Sequence, residues 1–341
     1  MSNLNVMTGH PFRGENLRNL KIFLKRMGII YDDNIEYSIC LLDGNCRIVG
    51  SGSVETDVIK CVAIDRGYQG RGLMSVMISE LIQYQFEKGR THIFVYTKPE
   101  NQPVFADMGF YMVHRTKEVV LLENRRDGFS GFLKKIRNET PPDALRKDRK
   151  IGAIVANCNP FTLGHRYLLE ESLKQCDYVH LFILSDSRGY FSVKERFEMA
   201  QMGTEGLDNI ILHQTQGYMI SAATFPTYFF KNRVQGEQES GRLDIDIFAL
   251  RIAPQLRITR RFVGTEPYCR VTGAYHEEMK QLLPAYGISV REIERKTKDG
   301  MPISASKVRQ CIADKEGEEI KKIVPEEVYQ YLRRIRVDKC L

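Results

Sequence analysis

The chain has 341 residues, with 50 Lys and Arg against 43 Asp and Glu for a net charge of +7, and 43 % of its residues are hydrophobic. At roughly 150 residues per domain this length predicts two domains, each long enough to bury its own core, and the composition excludes a disordered chain. The opening MSNLNVMTGHPFRGENL has no signal-peptide apolar region, no apolar run reaches membrane-spanning length, and the eight cysteines form no CxxC or paired Cys/His spacing. These features exclude a zinc finger and predict a soluble protein in a reducing cytoplasm.

In chain order, strands are predicted at Glu36–Leu42 and Cys46–Val54 around the hairpin signal Asp43-Gly44-Asn45, then at Asp57–Ile64. A Gly-rich turn at 65–72 leads into a helix over 72–88, where Leu73, Met77 and Leu81 share a stripe with Met74, Ile78 and Ile82 beside it. A strand at His92–Thr97, a short helix near 101–108 and strands near 110–114 and 118–122 complete a first domain over 1–123.

Residues 124–148 read as a basic linker with one short helix around Phe129 to Ile136 and the pair Pro141-Pro142. The wider stretch 123–150 holds nine Lys and Arg against five Asp and Glu, so a docking surface for an acidic partner stands beside the reading of a solvated connector. From 149 to 341 the pattern becomes βαβα, with apolar strands at 151–156, 178–184, 209–212, 260–263 and 287–292. Such alternation predicts a doubly wound parallel sheet.

Two segments carry chemistry. In the first domain, Gln69-Gly70-Arg71-Gly72 lies between strand and helix, where glycines let backbone N–H groups approach a pyrophosphate. The third glycine of a dinucleotide fingerprint is replaced by Ser75. With the downstream Asn101…Gly109-Phe110, the turn resembles that of the GNAT acetyltransferase superfamily over roughly residues 30–122. The resemblance implies a mixed α+β domain that seats a coenzyme A-like group on Gln69, Gly70, Arg71 and Gly72. Two departures stand out: Met74 occupies the turn's last position, and Phe105 stands where many amine acetyltransferases carry a proton-donating Tyr.

In the second domain, the first strand runs into Asn157-Cys158-Asn159-Pro160-Phe161-Thr162, and Leu163-Gly164-His165 opens a helix. Transfer at an α-phosphorus builds charge on non-bridging and leaving oxygens, and a helix N-terminus, an imidazole N–H and a hydroxyl can stabilise it. About 140 residues later comes Ile303-Ser304-Ala305-Ser306-Lys307-Val308-Arg309, whose hydroxyls and guanidinium suit departing phosphates. The two motifs resemble the TxGH and ISxSxxR elements of the adenylyl- and cytidylyltransferase superfamily. The resemblance makes Thr162, His165, Ser304, Ser306 and Arg309 candidate catalytic residues. It makes Asn157, Asn159, Pro160, Phe161, Gly164, Gly264, Thr265 and Glu266 candidate nucleotide contacts, with Asn159-Pro160-Phe161 lying where that family's loop packs over the nucleotide. No structural metal site is predicted, and Mg²⁺ is expected to arrive with ATP.

Several weaker candidates keep two readings. Ser192, Lys194 and Arg196 suit either a substrate-contacting helix or a plain cap with solvated charges. His180 and His213 read as core or edge residues, and Tyr329 and Tyr331 as packing.

The two halves together resemble the citrate lyase ligase family. That resemblance implies ATP-dependent activation of acetate as acetyl-adenylate with release of pyrophosphate. The acetyl group then passes to the phosphopantetheine-type thiol on the dephospho-coenzyme A-derived prosthetic group of the citrate lyase acyl-carrier subunit, releasing AMP. A coenzyme-biosynthesis adenylyltransferase with an accessory GNAT-like domain and a non-catalytic ATP or acyl-coenzyme A sensor are the alternatives. The +7 forms no stripe along the sequence, so neither nucleic acid nor membrane is an expected partner.

Overall fold

A computed structural model describes residues 4–186, 189–220, 225–230 and 232–336. The chain divides into two compact units, Met1–Phe129 with Phe225–Leu243, and Ser130–Thr224 with Asp244–Leu341.

The first unit runs β1 (Asn5–Gly9), α1 (Gly14–Arg26), β2 (Tyr37–Leu42), β3 (Ile48–Glu55), β4 (Val58–Ile64), α2 (Leu73–Glu87), β5 (Phe94–Thr97), α3 (Gln102–Ala106), β6 (Tyr111–Arg115) and β7 (Val120–Glu123). These strands form one sheet in the order β1-β2-β3-β4-β5-β7-β6. The β2–β3 turn closes as expected, because the Asp43 carboxylate accepts from the backbone N–H groups of Asn45 and Arg47, each at 2.9 Å. Helix α2 packs onto β3, and a Cβ on Gly52 would lie 2.8 Å from Leu81. Met77, Ile78 and Leu81 bury against Ile39, Leu41 and Val49, the apolar stripe that the periodicity predicts.

All pairs in this sheet are antiparallel except β4 with β5, which pair only at Val58–Phe94 and Ile59–Val95 and part beyond them. A segment from the second half of the sequence completes this unit. The Tyr228 carbonyl accepts from the Ile30 N–H at 2.7 Å, its hydroxyl donates to the Tyr96 carbonyl, and its ring lies under the Lys60 ammonium. Lys60 is itself buried and paired with Asp32 and Glu55. Local sequence pattern does not register this excursion.

The remaining elements are α4 (Gly128–Asn138), β8 (Ile151–Ala156), α5 (Leu163–Leu173), β9 (Tyr178–Ile183), α6 (Val193–Gly203), β10 (Ile210–Gln214), α7 (Arg233–Ile247), α8 (Ala253–Leu256), β11 (Arg260–Gly264), α9 (Arg270–Leu282), β12 (Ser289–Ile293), a small hairpin of β13 (Thr297–Lys298) and β14 (Met301–Pro302), α10 (Ala305–Ala313), α11 (Gly317–Lys321) and α12 (Glu326–Arg336). In the second unit, β8 to β12 form the expected parallel sheet, in the order β10-β9-β8-β11-β12. The order in which strands are added reverses at β8 and β11, from β8 out to β10 on one side and from β11 out to β12 on the other. Those two strands pair only at their starts, Gly152–Arg260 and Ala153–Arg261, so a crevice opens at their carboxyl ends.

The stretch expected as a solvated basic linker is corrected here. It forms α4 and a turn whose Phe132, Ile136, Thr140 and Ala144 are buried, and Phe132 packs on Tyr218 with ring centroids 4.9 Å apart. Much of its charge is already engaged. Arg149 pairs with Asp143 at 2.6 Å, Arg146 with Asp148 at 2.9 Å, and Arg137 donates to the Gln255 carbonyl at 2.9 Å. An amphipathic helix carries its basic residues on the wet side, so composition alone reads it as a connector. Of the basic residues in the closing helix, Arg333 and Arg334 are exposed, and Lys339 lies outside the described residues.

Candidate active site

The crevice between β8 and β11 is a cavity of about 820 Å³. Thr162, His165, Ser304, Ser306, Arg309, Asn157, Asn159, Gly164, Gly264 and Glu266 all line it. Two motifs 140 residues apart in sequence therefore share one wall.

Helix α5 begins with a reciprocal cap. Thr162 Oγ1 accepts from the His165 N–H at 3.4 Å, while the Thr162 backbone N–H donates to His165 Nδ1 at 3.0 Å. That second bond decides the tautomer: Nδ1 is the acceptor, so Nε2 carries the proton. Burial and the nearby Arg295 guanidinium push the imidazole down from 6.5 to about 4. His165 is therefore a neutral N–H donor at physiological pH, suited to a phosphate oxygen.

Phe161 does not line the cavity. It is fully buried, with its ring centroid 5.4 Å from that of His165 and its edge against Gly203, where a Cβ would clash at 2.2 Å. Pro160 is buried beside it and, like Phe161, does not line the cavity. Phe161 supports His165 from the core side.

The preceding loop is held from α6. The buried Arg196 donates to the Asn157 carbonyl at 3.2 Å and to the Asp186 carbonyl, and Asn159 Oδ1 accepts from the Phe191 N–H at 3.0 Å. Of the two readings of the Ser192 segment, capping holds: Ser192 and Glu195 form a capping box, and Lys194 is exposed. Arg196 is buried rather than solvated and does not line the cavity; it anchors the loop.

Across the crevice, Thr265 is tied into the backbone and does not line the cavity. Its N–H donates to the Ile293 carbonyl at 3.0 Å, and its carbonyl accepts from Arg295 Nε at 2.6 Å. The Glu266 carboxylate pairs with Arg295 at 2.5 Å and accepts from the N–H groups of Tyr268 and Cys269, each at 3.1 Å.

In the second motif, Ser304 caps α10 by accepting from the Lys307 N–H at 3.2 Å. Arg309 donates to the Ser306 hydroxyl at 2.9 Å and to the Asn159 carbonyl at 2.6 Å. The smallness of Gly164 serves the junction between the motifs, because a Cβ there would stand 3.2 Å from the Ile303 carbonyl oxygen.

Arg295, Lys296, Tyr167, Tyr268 and His276, outside both motifs or unmarked by them, also line the cavity, as does Lys307 within the second motif. The run Arg295-Lys296-Thr297-Lys298 at the end of the last predicted strand was the available signal, since parallel strands deliver ligands at their carboxyl ends. Among the described residues no group of three or more His, Cys, Asp or Glu could hold a metal ion.

The remaining candidates sort simply. His180 and His213 are fully buried and joined at 2.9 Å, and Tyr329 and Tyr331 are buried. In the first unit, Gly70 and Gly72 have φ of +73° and +74°, which glycine adopts without strain, and Gly72 caps α2. Gln69, Gly70, Arg71 and Gly72 are all exposed, leaving the helix N-terminus open. Phe105 is buried edge-on against Phe110, with ring centroids 5.9 Å apart.

Residues 151–332 match the family model "Citrate lyase ligase C-terminal domain", and residues 19–111 match "Acetyltransferase (GNAT) family". The chain is 40 % identical over 327 residues to a citrate (pro-3S)-lyase ligase of Haemophilus influenzae, covering 94 % of this chain and 96 % of that one. It is 37 % identical to the protein of the same name from Klebsiella pneumoniae over 318 residues, covering 92 % and 91 %. An acyl-CoA N-acyltransferase structure from Pseudomonas aeruginosa aligns with 36 % of this chain at 12 % identity and a TM-score of 0.32.

Proposed function

This chain belongs to the citrate lyase ligase family, and from that premise we propose that the β8–β11 crevice activates acetate with ATP for transfer to the acyl-carrier thiol of citrate lyase. The single observation that carries this reading is the meeting of Thr162, His165, Ser304, Ser306 and Arg309 on one cavity wall.

A carboxylate oxygen of acetate attacks the α-phosphorus, the bond to the bridging oxygen breaks, and pyrophosphate leaves. His165 Nε2–H and the N-terminus of α5 stabilise charge on the α-phosphate. Ser304, Ser306, Arg309 and the N-terminus of α10 receive the departing phosphates. Mg²⁺ carried by the nucleotide would supply charge neutralisation for its phosphates. In the second step the carrier thiol attacks the acyl carbon, the mixed-anhydride C–O bond breaks, and AMP leaves. Because AMP is a good leaving group, no Tyr is required at Phe105 to protonate a departing thiolate. Gln69, Gly70, Arg71 and Gly72 seat the phosphates of the thiol-bearing prosthetic group.

No helix among the described residues is long and apolar enough to cross a membrane. The seven described cysteines are free thiols, which favours a cytoplasmic setting.

Acetate-dependent exchange of radiolabelled pyrophosphate into ATP tests the first step, and acetylation of the carrier thiol with release of AMP tests the second. Formation of a dinucleotide without AMP would turn the reading into that of a coenzyme adenylyltransferase. Tight ATP binding without turnover for any carboxylate would point to a sensor.

A further inference from the structure

Four Lys and Arg residues line the crevice. Arg295 is committed to Glu266, Arg309 bridges Asn159 and Ser306, and Lys307 stands 3.9 Å from Glu316. Lys296 has no carboxylate within ion-pair distance among the described residues. Its ammonium lies instead against the ring of Tyr167, 5.6 Å from the centroid, and Tyr167 lines the same cavity two residues beyond His165. The Lys296 backbone is pinned, since its carbonyl accepts from the Ile303 N–H at 2.9 Å and closes the β13–β14 hairpin. The ammonium is thus carried on a fixed main chain between the two motifs.

The in-line reaction needs a cation in a second place. Pyrophosphate departs on one side of the α-phosphorus, and the attacking carboxylate arrives on the other. Two anions must approach each other, and groups that receive the leaving phosphates do not relieve that repulsion. An ammonium on an aromatic face offers a short aliphatic acid both things it requires: a charge for the carboxylate and an apolar surface for the alkyl group. Resting on the reading of the crevice as an acid-activating site, we propose that Lys296 holds the carboxylate of the incoming short-chain acid, with Tyr167 bounding its alkyl group. Lys296 is thereby a substrate-binding residue, and Tyr167 a determinant of acid size.

The experiment measures acid-dependent pyrophosphate exchange while acetate and ATP are varied separately. Lys296→Met is expected to raise the KM for acetate about tenfold or more, the scale of a lost charged hydrogen bond, while the KM for ATP moves less than about twofold. Lys296→Arg restores most of the loss. Tyr167→Ala, measured independently, shifts the kcat/KM ratio from acetate toward propionate and butyrate by about threefold or more. A KM for ATP that rises as much as that for acetate assigns Lys296 to the phosphates and overturns the proposal. An unchanged KM for acetate, or an unchanged acid preference in Tyr167→Ala where Lys296→Met does not fold, overturns it as well. Wild-type protein with no acid-dependent exchange at all removes the ligase reading itself, and this proposal with it.

Discussion

Arg309 Nη1 donates to the carbonyl oxygen of Asn159 at 2.6 Å across 150 residues of chain, while Nη2 reaches the Ser306 hydroxyl at 2.9 Å. One guanidinium therefore ties the loop of the first motif to the helix of the second. It acts as a strut, in addition to the phosphate-binding role proposed for it. Its planar fork serves both partners at once, which a single ammonium cannot do.

Arg309→Lys is accordingly expected to fail as a conservative change. Pyrophosphate exchange should fall by about 10²-fold in Arg309→Ala and by nearly as much in Arg309→Lys, the scale of one lost transition-state donor. Near-wild-type exchange in the lysine variant would show that charge alone matters there.

His165→Asn is expected to lower adenylate formation by about 10²-fold. It also carries a pH signature. The folded imidazole is held down from 6.5 to about 4, so unfolding takes up a proton between those values. Wild-type stability therefore falls as pH drops through that window and levels below it. His180, held down to about 3, contributes similarly in both proteins, so the difference between them isolates His165. Melting temperatures from pH 7 to 4 should fall more steeply for wild type than for His165→Asn; parallel curves would contradict the neutral-donor assignment.

Gly72→Val should separate the two half-reactions. Nothing lies within 4 Å of a Cβ at this position, so the cost comes from the positive φ rather than from a clash. A loss of about 1–2 kcal/mol in stability is expected from forcing a branched residue into that conformation. Acetyl transfer to the carrier thiol should drop while pyrophosphate exchange continues. Equal loss of both activities would remove the turn from the thiol-binding role.

Arg196→Met tests the anchoring of the loop. Removing the guanidinium leaves the carbonyls of Asn157 and Asp186 without this donor, at about 1–3 kcal/mol per unsatisfied group. Thermal denaturation should show a clear fall in melting temperature, and exchange should fall with no change in acid preference. A variant as stable as wild type would show that the loop holds its shape without Arg196.

The fold was legible where the signal is local. The strand at 151–156 and its helix, the parallel alternation and the α2 stripe are written in runs and periods shorter than 20 residues, and their buried faces require that pattern. The buried role of Phe161 was not legible, because an aromatic residue beside a nucleotide-binding motif has the same local pattern whether it faces ligand or core. The short helix around Phe129 to Ile136 was legible but its burial was not, because a helix that buries only Phe132, Ile136 and their neighbours exposes enough Lys and Arg to read as part of a connector.

The sequence by itself predicted two domains, with a Gly-rich turn at Gln69–Gly72 in one and the capped helix starts at Thr162 and Ser304 in the other, because turns, caps and strand–helix junctions depend on residues close together in the chain. Only the tertiary structure decided which side chains share the crevice. It brought Lys296 to Tyr167 and Arg309 to Asn159. The physical reason is the sheet: parallel strands from distant parts of the chain end on one edge, and the contacts made there are set by strand order rather than by sequence neighbours.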